Sequence, residues 1–451
     1  MKKLGLICMA WILFTGIAAT AHALDVEFHG DLNHRFQRTN RADFLTTDSS
    51  SDRAEINDGS VDSFFGEIKY RLWMNASTND GKVKGVVATE IGGLRFGEAG
   101  KMTYSGDQIV FELRWAYTDF QLPFIERNAR FKVGLQPFTV NHYIWQETVG
   151  GVAFNSMIGD NFDYQLAWMR GAEVDKTASN SGPDDERSNE DAFLARLNFN
   201  PGGSIKGGVF GLFQTYDADG ANFGNGALDS RDYQIKRFGK DKGINLYSLG
   251  IDGGYTGGPF FVNWDLIYQT GEIEDTDFTD FASGLGRSGD FDVSAYFVHF
   301  DLGTNFDKFK VQYTFWYASG DDDLGDSDVD AWLAFPGASY YWSEIMGYGM
   351  FDTQVSNGSP ADKISNIYAA NLGATIKPMD KLKVTMDVWY AALAEDNAAG
   401  DDVLGTEVDL KVTYQLVEGL NLDVVGAYLF ADDATGDDDP IEVGSRLSIS
   451  F

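Results

Sequence analysis

Residues 441–451 read IEVGSRLSISF. Ile441, Val443, Ser445, Leu447, Ile449 and Phe451 form one mostly apolar row. Glu442, Gly444, Arg446, Ser448 and Ser450 form the other. A period of two marks a strand whose successive side chains point to opposite faces. The row runs to a final aromatic, so this strand needs a neighbour that completes its hydrogen bonding.

The same pattern recurs upstream. In VEFHGDLNHRF (26–36), Val26, Phe28, Gly30, Leu32 and Phe36 alternate with Glu27, His29, Asp31, Asn33 and Arg35. In FFGEIKYRLWM (64–74), Phe64, Ile68, Tyr70, Leu72 and Met74 alternate with Glu67, Lys69, Arg71 and Trp73. QIVFELRWAY (108–117) sets Ile109, Phe111, Leu113, Trp115 and Tyr117 against Glu112 and Arg114. KFKVQYTFWY, KLKVTMDVWY and EVDLKVTYQL behave alike. About 18 strands result, at roughly 25–38, 61–77, 82–95, 107–121, 130–140, 149–158, 162–170, 191–200, 205–216, 243–255, 259–271, 291–303, 308–319, 364–377, 382–394, 405–416, 420–430 and 441–451. The segment 149–158 alternates least; parity of the connectors requires it, and a count of 16 stays open.

The connectors alternate between two kinds. Tight ones carry hairpin residues: NDG at 79–81, GDN at 159–161, PGGS at 201–204, TGG at 256–258 and EG at 418–419. Long acidic ones fall at roughly 39–60, 171–190, 217–241, 271–290, 320–362, 395–404 and 431–440. One plain rim and one elaborate rim describe an up-and-down barrel, as in outer-membrane barrels with short periplasmic turns and long external loops.

Composition bounds the alternatives. The chain has 451 residues, 35 basic and 68 acidic side chains, and a net charge of −33. Such a charge repels nucleic acid and anionic surfaces. MKKLGLICMAWILFTGIAATAHA (1–23) has two lysines, an apolar run and an A-x-A site, which reads as a secretory signal peptide rather than an anchor. Cys8 lies inside it, so residues 24–451 hold no cysteine, which suits an oxidising compartment. After residue 23, no apolar run approaches the 18 or more residues of a membrane helix. A secreted β-sandwich or propeller is the rival fold. Strands of about 10–13 residues exceed the usual ~5–6 and match a tilted membrane span. No blade-sized repeat appears. Trp73, Trp115, Tyr117, Tyr216, Tyr255, Trp316, Tyr317, Trp389, Tyr390, Tyr428 and Phe430 sit near strand ends and read together as interfacial girdles. The reading is one all-β transmembrane barrel over 24–451, with its last strand paired to its first.

Specific stretches resemble known porins. LGTEVDLKVTYQLVEGLNLDVVGAYLFADD (404–433) resembles the penultimate hairpin of the alginate-export-type 18-stranded barrels. FKVGLQPF (131–138) and YASGDDD (317–323) resemble internal strand motifs of that family and of homotrimeric porins from sulfate-reducing bacteria. Leu135 stands where the exporters would carry a basic residue, which separates the resemblance from an acidic polysaccharide substrate. The ending at Phe451 resembles the terminal strand that the barrel-assembly machinery reads in Gram-negative outer-membrane proteins. The resemblance implies a homotrimer in lipid and lipopolysaccharide.

A barrel of this size needs water or inserted loops in its lumen. Lining candidates on the polar faces are Arg35, Glu67, Lys69, Arg71, Glu112, Arg114, Lys132, Asp265, Lys310, Asp387 and Arg446. They describe either a hydrated, paired wall or a transverse field that orients polar solutes. The segment 320–362 turns from acidic to aromatic, with Trp332, Phe335, Tyr340, Tyr341 and Trp342. It is expected to narrow the lumen, stack on sugar rings, or pack on a neighbouring subunit. The short connector after the fifth strand, with His142, Trp145 and Glu147, is the second candidate for the narrowing. Asp321, Asp323, Asp326 and Asp328 suggest a solvated acidic rim, or weak divalent-cation sites, though no EF-hand pattern occurs. Residues 24–451 contain four histidines, none beside a hydrolase motif, so neither an enzyme nor a cofactor is expected. The expected function is a passive channel for small hydrophilic solutes; the alternative is a selective sugar or polysaccharide channel of the alginate-export type.

Overall fold

The computed structural model describes residues 24–40, 63–98, 102, 109, 111–125, 128–174, 188–217, 243–276, 289–323, 326–333, 342–347, 349, 364–397, 400–436 and 439–451. The expected signal peptide, residues 1–23, lies outside these. The strands are β1 (Leu24–Thr39), β2 (Ser63–Thr78), β3 (Val83–Arg95), β4 (Glu112–Gln121), β5 (Arg130–Thr139), β6 (Gln146–Ile158), β7 (Phe162–Val174), β8 (Ser188–Phe199) and β9 (Ile205–Asp217). Then come β10 (Gly243–Gly257), β11 (Phe260–Thr276), β12 (Gly289–Phe306), β13 (Phe309–Ala318), the two-residue β14 (Asp328–Val329), β15 (Ile367–Met379), β16 (Leu382–Leu393), β17 (Val403–Val417), β18 (Leu420–Ala431) and β19 (Ile441–Ser450).

All belong to one sheet. Setting aside β14, which runs parallel to β12, 18 antiparallel strands remain, each paired with its neighbours in sequence. The cylinder closes where β1 pairs with β19, from Asp31↔Ser450 to Thr39↔Glu442. An even antiparallel count is what such closure requires. The expected strand 149–158 is present as β6. Tight connections, such as 159–161 and 418–419, fall on one rim, and Leu24 and Phe451 lie there too. Among the described residues, no helix is long and apolar enough to cross a membrane; here strands do that work.

Alternation sorts the side chains. The outer face exposes Phe28, Phe64, Leu249, Phe260, Leu372 and Met386, with Phe64 at 74 %. Closure satisfies the backbone, so an apolar exterior of this kind is stable only against hydrocarbon. On this face the Phe451 ring lies over Gly30, where any Cβ would collide with it. Backbone bonds between Gly30 and Phe451, at 3.0 and 3.2 Å, fix the contact.

Two expectations need correction. First, Trp73, Trp115, Tyr117, Trp316 and Trp389 do not belong to a girdle. A bulge places the extra residue Arg114 in β4, between Leu113↔Thr89 and Trp115↔Ala88. This reverses the phase, so Trp115 meets inward Trp73 at 6.0 Å and Tyr117 meets Lys132. Trp316 and Trp389 are buried inside. Tyr255, Tyr390, Tyr428 and Phe430 do face outward and are exposed, while Tyr317 stacks on outward Tyr296 at 5.5 Å. The Tyr216 side chain lies outside the described residues. Second, the interior is not polar throughout. Phe210, Leu212, Ile244, Leu246, Ile267, Phe291 and Phe297 point inward and are buried. A dry core therefore fills one sector of the lumen above β9–β12.

Some backbone positions demand glycine. Gly134 has φ 126°, and a Cβ there would strike the Ala116 carbonyl. Gly134→Ala is expected to cost about 1–3 kcal/mol. It should lower the temperature at which the folded band converts to the unfolded one on unboiled gels. Gly85→Ala, with nothing within 4 Å of the new methyl, should leave that temperature unchanged.

Candidate functional site

Two segments enter the lumen. The first is the connector between β5 and β6. Its tip is a tight turn: Val140 N donates to the Trp145 carbonyl (3.0 Å), and Ile144 and Trp145 donate to the Asn141 carbonyl (3.2 and 3.1 Å). Asn141 Oδ1 accepts from Tyr143 N (2.9 Å), the local bond that asparagine favours in turns. Its amide then reaches the opposite wall, donating to Asp252 on β10 (3.0 Å) and Asp265 on β11 (2.6 Å). Arg196 on β8 grips Asp252 through two bonds (2.8 and 2.6 Å) and donates to the Val140 carbonyl (3.0 Å). Tyr143 packs on Phe297 (4.4 Å) and on His299 (4.9 Å). His299 is bracketed by Asp265 (2.7 Å) and Asp301 (3.3 Å). Six residues thus bridge a chord of the barrel.

The second is the long connection between β13 and β15. Gln269 exchanges both of its amide bonds with the Leu333 backbone (3.0 and 3.1 Å). Ser365 donates to the Trp332 carbonyl. The fully buried Glu407 carboxylate accepts from Ile345 N (2.7 Å) and Met346 N (2.8 Å). Trp342 stands perpendicular to Trp316 and to Trp389, each at 5.1 Å. The segment is therefore nailed to the inner wall by side chains of β11 and β17.

Each expected residue now has a place. The strand registers put Arg35, Glu67, Lys69, Arg71, Glu112, Arg114, Lys132, Asp265, Lys310, Asp387 and Arg446 on the inner face. Arg35 pairs with Glu67, both buried. Glu90, on the inner face of β3, receives Arg71 (2.6 Å) and Arg114 (2.5 Å). Arg446 pairs with Asp423 (2.8 Å). Lys310 lies over Phe261 (5.1 Å). Trp332 is fully buried and Trp342 half-buried; Phe335, Tyr340 and Tyr341 lie outside the described residues. Trp145 is buried against Phe138 (5.2 Å), whereas His142 and Glu147 are exposed. The short connector, ranked second from sequence, enters the lumen as fully as the long segment. Of Asp321, Asp323, Asp326 and Asp328, the first and third carboxylates accept from nearby backbone: Asp323 N donates to Asp321 (3.3 Å) and Asp328 N to Asp326 (2.9 Å). Among the described residues, no three His, Cys, Asp or Glu converge as a metal site.

Both signs of charge line the wall. On β1–β5 the basic Lys69, Arg71, Arg114, Arg130 and Lys132 stand beside Glu67, Glu90, Glu112 and Asp119. On β10–β19 the carboxylates Asp252, Asp265, Asp301, Asp387, Asp409 and Asp423 stand beside Lys310, Lys411 and Arg446. At the long-loop rim, burial together with Asp322 and Asp396 pushes the Glu395 carboxyl above its usual range. Sequence reasoning missed Asn141 and Gln269; Glu407 reads from sequence as an acidic lining residue, but not as an anchor for inserted backbone. The available signal was the two-sided apolarity of Phe291–Leu302, which implies that something covers the inner face.

No family model matches the chain, and no curated protein does. Solved structures do match. Pseudomonas aeruginosa OpdO superposes with a TM-score of 0.55 at 11% identity, covering 95% of this chain and 97% of that one. The fold is that of the OprD-type porins. OprD itself gives 0.53 at 10% identity, covering 96% of this chain and 95% of OprD. OccK8 (OprE) gives 0.53 at 11%, covering 95% and 98%. All are barrels of outer-membrane channels from one organism. Alginate exporters and porins of sulfate reducers are not among these three, so that resemblance rests on the quoted motifs alone.

Removing the anchor of the long segment tests its role. Glu407→Ala strips the acceptor from two buried amides, at about 1–3 kcal/mol each. Single-channel recordings should show a larger, noisier conductance. Glu407→Gln, which keeps one acceptor oxygen, should fall between the two.

Proposed function

We propose that the chain is an outer-membrane porin through which small hydrophilic solutes and ions diffuse passively. The observation that carries this is a closed barrel with an apolar exterior, whose lumen is lined by charged side chains of both signs beside two wall-anchored segments. Charges of both signs facing one another across such a passage create local fields that align dipolar solutes. The lining residues named above supply those fields, and the two segments set the aperture. The likeness to Pseudomonas outer-membrane channels supports the reading.

Several partners follow from it. Residues 1–23 export the chain to the periplasm, and the barrel-assembly machinery inserts it using the strand ending at Phe451. The barrel then sits in lipid and lipopolysaccharide as a homotrimer. The acidic loops give the mouth an excess of cations at low salt, which makes the channel mildly cation-selective.

Reconstitution in planar bilayers tests the proposal. Currents should be ohmic, with a reversal potential on the cation side under a salt gradient. That preference should shrink as the screening length falls from about 10 Å at 0.1 M to about 3 Å at 1 M. Absence of conductance, or a preference that salt leaves unchanged, overturns it. A heat-stable band of threefold mass on unboiled gels supports the trimer.

A further inference from the structure

The outer surface of the barrel is not uniform. Near the long-loop rim, β7–β18 turn exposed rings outward, among them Trp168, Tyr247, Tyr268, Tyr296, Tyr390 and Tyr428. Neighbouring rings join into a belt: Phe213 lies on Tyr247 at 4.6 Å, Tyr296 on Tyr317 at 5.5 Å and Tyr368 near Tyr390 at 6.3 Å. Tyr and Trp settle where hydrocarbon gives way to headgroups. On β19 and β1–β6 the belt stops. Among the described residues, no tyrosine or tryptophan of these seven strands is exposed. Val443, Phe64, Leu113 and Pro137 are exposed toward that rim instead.

The same strip carries a polar pair where hydrocarbon is expected. His34 of β1 lies between Ile68 of β2 and Leu447 of β19, in the outward row of Phe28 and Phe36. Tyr70 of β2 lies opposite Leu32 in the same layer. Tyr70 Oη meets His34 Nε2 at 2.5 Å, with the rings edge to face. Both residues sit well inside their strands, clear of either rim. A hydroxyl both donates and accepts, and His34 uses one of these roles. Tyr70 is only partly buried, so its other role is open to a group outside the barrel. Hydrocarbon offers no such group, and an imidazole facing it is costly. Elsewhere the midspan is apolar, with Leu166, Val209, Leu249, Leu372, Met386 and Leu410 exposed.

Lipid against this strip would leave both features unexplained. A protein surface accounts for both, because it displaces headgroups and brings polar partners. The size is adequate. Seven strands spaced ~4.8 Å and tilted ~40° make a strip roughly 40 Å wide, against an apolar band ~25 Å tall. That is on the order of 1,000 Å², above the ~800 Å² that one partner gives to a specific interface. A second copy brings a strip of the same height and curvature, with outward Ser445 and Thr118 as well as its own His34–Tyr70 pair. We propose that the outer surface of β19 and β1–β6 is where copies of this chain meet in the membrane. The inference rests on the porin reading for its setting, and it gives the homotrimer a surface.

Cys8, within the expected signal peptide, is the chain's one cysteine, so a cysteine placed in the barrel takes a label alone. In protein purified from membranes into detergent, a spin label on Ser445→Cys should report a shorter distance between copies than one on Leu249→Cys, across the barrel. Light scattering should give a whole-number multiple of the protomer mass. His34→Leu combined with Tyr70→Phe should raise the protein concentration at half-dissociation about fivefold. Tyr268→Phe, outside the strip, should leave it unchanged. Heat-modifiable gel mobility confirms that each variant is folded. A monomer that conducts in bilayers overturns the surface and leaves the porin standing. Copies that meet through β19 and β1–β6 without conducting do the reverse. Equal label distances, a shorter distance at Leu249→Cys, unchanged dissociation of the double variant, or added mass from a different polypeptide each overturn the assignment.

Discussion

Everything in this molecule depends on one pairing, the ladder between β1 and β19. Its nine residue pairs turn an open sheet into a cylinder. Without it the first and last strands would each present a row of unsatisfied amides and carbonyls to hydrocarbon, at several kcal/mol per group. With it, every strand has two neighbours, and the side chains are free to be apolar outside. The Gly30–Phe451 contact sits at the foot of this seam, where the absence of a side chain lets an aromatic lie flat on the backbone.

The interior obeys a second constraint. A cylinder of 18 strands is too wide for its own side chains to fill. The chain solves this by bringing backbone inward and satisfying its polar groups with wall side chains. Arg196, Gln269 and Glu407 perform this service at three places: each bonds inserted backbone from the wall, as a neighbouring strand would otherwise do. The apolar residues of β9–β12 then seal those segments from water. Buried polar backbone is tolerable there where wall side chains match it.

Much of the architecture was legible in the sequence, because alternation and turn chemistry are local. Even β6, with its weak alternation, was recoverable from connector parity. The polar lining was legible too, since a period of two assigns each charged residue to a face. What alternation missed was nonlocal. One extra residue at Arg114 reverses the faces of Trp115 and Tyr117, and the residues 108–117 look regular without their partner strand. The inward reach of 140–145 depends on aspartates more than a hundred residues away. No property of a short connector announces that its asparagine will find them.

The wall is thus split between two trades. Inward positions on β9–β12 hold a packed interior, so changes there are felt as stability. Inward positions on β1–β5 face charge and water, so changes there alter what moves past. The two sectors meet through the 140–145 turn, whose Asn141 and Tyr143 reach Asp252, Asp265 and Phe297, so positions away from that turn can retune cargo while leaving the scaffold's solid half alone. A lineage carrying such a division can diversify its diet without relearning how to fold.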